Sequence, residues 1–185
     1  MSLLLWVILG VIVLIVLWVI WVFNSLIALK NQTQEAWADI EVQLKRRSNL
    51  IPNLIEIVKG YAKHEKEVFE NVTKARAQML KAKTPQEAAK AEGELTGALK
   101  TLFAVAENYP QLRASENFQK LQDELTDTED KIQAARRFYN ASVRDFNIRI
   151  QSFPERLIAG MLGFKPFEYF EVETEAERKV PKIKF

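Results

Sequence analysis

LLLWVILGVIVLIVLWVIWVF, Leu3 to Phe23, is an unbroken run of 21 apolar residues, and the first charged side chain anywhere is Lys30. As a helix rising ~1.5 Å per residue, it is about 31 Å long, matching a hydrocarbon core of ~30 Å. The run predicts a transmembrane anchor, with Leu3, Trp6, Trp18, Trp21 and Phe23 as its marker residues. Trp18 and Trp21 stand near the far end, where amphipathic rings favour the headgroup layer. A cleaved signal peptide fits poorly. It has a shorter apolar core, a positive leading segment and a small-x-small cleavage site, and Ser25-Leu26-Ile27-Ala28 lacks that pattern. Lys30, Lys45, Arg46 and Arg47 follow the run and no Lys or Arg precedes it. The positive-inside tendency then predicts a single-pass inner-membrane protein with its N-terminus outside and its body in the cytoplasm.

Beyond the anchor there is chain enough for one domain with a real core. Charged residues make up 27% of the sequence and nearly cancel at net +2. That balance gives little counterion-release energy, so nucleic acid is not an expected partner. There is no cysteine, which removes disulfides, Fe–S clusters, thiol catalysis and a lipoprotein anchor together.

The rest of the chain reads as helices. Trp37, Ile40, Leu44, Ile51, Ile55, Val58 and Ala62 recur at helical intervals. No Gly or Pro interrupts Val11 to Ile51, so the anchor is expected to continue into helix one, with Pro52 kinking it. A second helix covers about Glu65 to Lys81. Thr84-Pro85-Gln86-Glu87 then supplies an N-cap, a proline at the first helical position and a capping-box Glu. The third helix runs to about Asn108, where Tyr109-Pro110 ends it. The fourth carries a heptad-like, coiled-coil seam from Phe118 through Leu125, Ile132, Tyr139 and Phe146 to Phe153, and Pro154 stops it.

The expected architecture is all-α. A transmembrane helix continues into an antiparallel four-helix bundle of long helices, followed by a short extra helix and an extended C-terminal tail. The expected divisions are an anchor over residues 1–24, a bundle over 25–164 and a tail over 165–185. Folding helix four back along helix one brings Arg47 level with Asp130, so Arg46 or Arg47 is expected to pair with Glu129 or Asp130. It also carries residues 154–170 to the bilayer surface. Leu157, Ile158, Met161, Leu162 and Phe164 are the candidate interfacial residues there, with Gly163 ending the short helix. Capping of the open end of the bundle is the competing role for them. Val180, Ile183 and Phe185 are spaced for a docking tail, against the ordinary alternative of a frayed terminus.

The sequence carries few signatures of chemistry. His64 is the only histidine, so neither an HExxH zinc motif nor a Glu-x-x-His di-metal bundle can be completed. No Gly-rich phosphate loop or GxSxG elbow occurs. Glu124, Asp127 and Asp130 share one helical face and read as solvated carboxylates. Lys45-Arg46-Arg47 lies ~33 Å beyond Phe23 on a straight helix, far outside a ~8 Å Debye length. Ion pairing or a protein contact suits it better than lipid. No catalytic residue, metal, cofactor or small-molecule substrate is expected.

Three stretches carry a resemblance: EAWADIEVQLKRRSNLIPNLIEIVKGYAKHE (Glu35–Glu65), ENYPQLRASENFQKLQDELTDTEDKIQAARRFYNASVRDFN (Glu107–Asn147) and the closing VPKIKF. They closely resemble the bacterial LemA family, and the match covers essentially the whole chain. The resemblance implies an antiparallel helical bundle on a single-pass anchor and brings no catalytic residues with it. Members are often encoded near membrane metalloproteases of the HtpX type, which implies a role in envelope or membrane-protein homeostasis. The expected function is a non-enzymatic scaffold or adaptor, self-associating or docked on a membrane protein such as a metalloprotease. The alternative is a membrane-surface sensor that binds lipid through residues 154–170. Gly10 is the only glycine in the span, so no GxxxG motif supports association there.

Overall fold

The computed structural model describes residues 3–171. Among them the regular structure is helical: α1 (Leu3–Tyr61), α2 (Lys66–Met79), α3 (Pro85–Ala106), α4 (Pro110–Arg113), α5 (Glu116–Gln151) and α6 (Glu155–Met161). The apolar run and the expected helix one are a single helix of 59 residues. α3 begins with the expected capping box. Thr84 Oγ1 accepts from Glu87 N, and Glu87 Oε2 accepts from Thr84 N and Lys83 N. One short element departs from the reading of Tyr109-Pro110 as a stop. Pro110 also opens α4, because a missing N–H costs nothing at the first helical position.

The described chain divides into two compact units, each assembled from separated stretches. One contains the described residues up to Asp39 with Arg137–Glu168, and the other contains Ile40–Arg136 with residues 169–171.

In the second unit, Ile40, Leu44, Ile51, Leu54 and Val58 of α1 are buried, as are Phe69, Val72 and Met79 of α2. Leu95, Leu99 and Leu102 of α3 and Phe118, Leu125 and Ile132 of α5 complete the core. Pro52 lies inside α1 and has no N–H to give the carbonyl of Ser48, four residues back. Arg76 of α2 supplies the missing donor, with its Nε 2.8 Å from Ser48 O. Arg76→Leu is therefore expected to cost about 1–3 kcal/mol, the penalty of leaving a partly buried acceptor unpaired. In a Pro52→Ala background, where the backbone can bond Ser48 itself, the same change should cost clearly less. Equal costs in the two backgrounds, measured by thermal unfolding, would break this explanation.

In the first unit, Val22 and Leu26 of α1, Phe146 and Ile150 of α5, and Ile158 and Ala159 of α6 form one cluster, with Trp18, Leu29, Phe164 and Phe167 against it. α6 ends in a Schellman motif. Phe164 N bonds Ala159 O, Gly163 N bonds Gly160 O, and Gly163 holds φ +70. That turn returns Phe164 to the core, where its ring meets Phe146 edge-on at 6.1 Å. The extended segment after it lies on α5. Asn147 grips both sides of Phe167, accepting from its N–H and donating to its carbonyl, each at 2.9 Å. Tyr139 donates to Glu168 O at 2.8 Å.

Burial, with the Glu168 charge adding to it, pushes the Tyr139 hydroxyl up from 10.0 to about 12. A phenol held neutral in the fold but free to ionise when unfolded stabilises the fold at pH below 10. That contribution is lost as pH rises from about 10 to about 12. Unfolding midpoints should fall across this window in the parent, and the fall should be shallower in Tyr139→Phe. Parallel curves would count against it.

Candidate functional site

From Leu3 to Leu17 every side chain of α1 is exposed, so no part of the described protein covers this apolar surface. Trp6 and Trp21 are exposed with it, while Trp18 is half-buried on the core of the first unit. Charge first meets the helix beside Trp21: the Arg149 guanidinium lies over that ring at 5.1 Å. Arg149 also pairs with Glu155, at the start of α6, at 3.2 Å.

α6 is two-faced. Ile158 and Ala159 pack inward on the Val22–Leu26 stretch, while Leu157 is 60% and Met161 87% exposed, with Leu162 exposed beside them. Phe153, which the seam places in the core, is instead 82% exposed. α5 ends at Gln151, so Phe153 lies past the last helical turn and its seam position no longer points inward. The expected interfacial set therefore splits. Leu157, Met161 and Leu162 point outward, Ile158 points inward, and Phe164 is half-buried against Phe146. Phe170, at the end of residues 154–170, is fully buried in the second unit, with the Arg136 guanidinium 5.3 Å from its ring.

The basic cluster of α1 also splits. Lys45 is exposed, Arg46 reaches Asp127 at 3.5 Å, and Arg47 turns into the core with 5% exposure. Arg47 Nη1 lies 2.8 Å from Glu92 Oε1 and 2.6 Å from Glu129 Oε2. Of the four residues named from the sequence, the structure thus joins Arg47 to Glu129. Arg46 takes Asp127 in place of Glu129 or Asp130, and Asp130 is exposed. Asp127 also accepts from Lys131 at 2.8 Å, and that bond, with Arg46 nearby, holds its carboxyl below the usual range.

Glu92, 5% exposed, is the partner sequence reasoning missed. Its signal was present. It falls in phase with Ala88, Leu95 and Leu99, a carboxylate on the apolar face of α3. Thr96 donates to Glu92 and Gln133 to Glu129, so one arginine and two glutamates are held with neutral support.

His64 is exposed between α1 and α2. No group of three or more metal-ligating side chains occurs among the described residues. Val180, Ile183 and Phe185 lie outside those residues.

Residues 36–185 match the profile of the LemA family. The chain is 26% identical over 184 residues to Magnetosome protein MamQ 1 of Paramagnetospirillum magneticum, covering 85% of this chain and 68% of that protein. Magnetosome protein MamQ of Magnetospirillum gryphiswaldense is 24% identical with the same coverage. Protein LemA of Metamycoplasma hominis is 28% identical over 159 residues, 84% of this chain and 71% of its own length. With the family profile matched over most of its length, the chain belongs to the LemA family.

Proposed function

We propose that this protein works by binding and not by catalysis: a single-pass membrane protein whose helical body is a scaffold or adaptor seated on the bilayer. The observation that carries this reading is the outward apolar face of α6, fixed through Ile158 and Ala159 to the base of an uncovered apolar helix. Water-facing Leu157 and Met161 would be costly, at about 25 cal/mol per Å2 of apolar surface, and the headgroup layer removes that cost. The Arg149–Glu155 pair against Trp21 suits the same level, since Trp and Arg favour that zone.

An antiparallel four-helix bundle accounts for the helix order. Within the first unit, Trp21 meets Arg149 and Trp37 meets Tyr139 (ring centroids 5.5 Å apart), so α5 numbers fall as α1 numbers rise. Exposed Phe138 and Ile148 on α5 offer apolar contacts to a second copy or to another membrane protein, a membrane metalloprotease among them. A cytoplasmic body, an outer N-terminus and a place in envelope or membrane-protein homeostasis complete the proposal.

The absence of cysteine makes the seating directly measurable. Met161→Cys and Leu157→Cys, labelled with an environment-sensitive dye in proteoliposomes, should show blue-shifted emission quenched by headgroup-proximal brominated lipid. Glu67→Cys on α2 should show neither. Unquenched labels on α6 would sink the seating. A full-length chain that is strictly monomeric in mild detergent and crosslinks to nothing in its membrane would sink the scaffold.

A further inference from the structure

A cleft of about 450 Å3 opens in the first unit where the apolar run ends. Its walls include Phe23 and Ile27 of α1, Phe146 of α5, and Leu162 and Phe164 at the end of α6. Lys30 and Lys165 also line it, and among the described residues no Asp or Glu does. Neither lysine takes part in an ion pair among the described residues. Lys165 is placed by the positive-φ turn at Gly163, which sends Phe164 to the core and the next residue to the cleft.

The cleft combines a trough of rings and aliphatic carbons with two ammonium groups that have no ion-pair partner among the described residues. Phe23, the last residue of the apolar run, is exposed, so the trough is continuous with the uncovered surface of the anchor. We infer that this cleft holds one anionic phospholipid, its phosphate group taken by Lys30 and Lys165 and an acyl chain laid along Phe23, Ile27 and Leu162. Charge selects the class. A choline headgroup would bring its own cation beside two lysines, with no carboxylate among the described wall residues to receive it. Phosphatidylglycerol brings only the anion. The inference rests on the seating of α6 at the bilayer surface.

The test is native mass spectrometry of the full chain in nonionic detergent, offered phosphatidylglycerol, phosphatidylcholine or inorganic phosphate at matched concentrations. One phosphatidylglycerol should be retained at least tenfold over phosphatidylcholine. Lys30→Gln/Lys165→Gln should lose about ten- to thirtyfold in retention. Lys74→Gln/Lys100→Gln, with the same net charge, should lose nothing. Equal retention of the two lipids, or an unaffected Lys30/Lys165 variant, overturns the inference. So does displacement of the lipid by an equal concentration of inorganic phosphate, which would mark a free-anion site. The dye at Met161→Cys separates lipid selectivity in the cleft from the seating of α6. Quenching intact with no lipid selectivity removes the cleft assignment alone, whereas an unquenched dye removes the seating on which it rests.

Discussion

Arg47→Leu should lower the stability of the protein by about 3–5 kcal/mol, because it leaves Glu92 buried and Glu129 half-buried with no cation between them. For a chain of this size, that is a fall of roughly 10 °C in the unfolding midpoint. The loss does not measure what the ion pairs contribute, since withdrawing three charged groups from water is itself costly. It measures two stranded carboxylates. Adding Glu92→Gln to Arg47→Leu should therefore recover part of the loss, because the amide removes the stranded charge and can still accept from Thr96. Arg46→Leu is the contrast. Its pair with Asp127 is close to half-exposed on both sides, and it should cost no more than about 1 kcal/mol. Circular dichroism melts of the detergent-solubilised full chain distinguish these outcomes. Equal losses for Arg46 and Arg47 would show that water reaches the inner network.

Phe146→Ala should cost a similar 3–5 kcal/mol, by creating a cavity at the centre of the first unit. The ring is buried in the Val22–Ile158 cluster and meets Phe164 at 6.1 Å and Phe167 at 5.0 Å, both edge-on. Such pairs add about 0.5–1.5 kcal/mol each beyond buried area. The change should also act at a distance along the chain. With its aromatic platform gone, the segment from Phe164 to Glu168 is held by hydrogen bonds alone, from Asn147, Tyr139 and the Ala159 carbonyl, and amide exchange at Phe167 should accelerate strongly. Asn147→Ala should speed the same amide while costing less overall, since it removes hydrogen bonds without opening a large void. Unchanged exchange at Phe167 in Phe146→Ala would show that the platform does not hold the segment.

Most of the helical content was legible because periodicity and punctuation agreed. The capping box at Thr84, the Gly163 stop and the seam from Phe118 to Ile150 are local signals that packing did not override. Phe153 fits the period, but α5 stops at Gln151, so its spacing no longer reported a face. Pro110 carried two meanings, an end and a beginning, and only the first was visible without the turn that follows. At the inner ion network, the register placed Arg47 near Glu129, yet Glu92 comes from α3, whose rotation about its own axis the α1 register does not determine. Near the end of the apolar run, apolar content was plain in residues 154–170. The partition into inward Ile158 and outward Leu157 and Met161 depended on which turn of α1 received α6.

The bond from Arg76 to the Ser48 carbonyl ties two elements into one cooperative unit. α1 continues as one helix through Pro52, and α2 is held partly by the acceptor that the proline leaves open. Peeling α2 away re-exposes an unanswered carbonyl in mid-helix, so the place that behaves as a rivet while α2 is bound becomes a hinge once it leaves. A partner that competed for α2 would then loosen α1 at Pro52 without touching it.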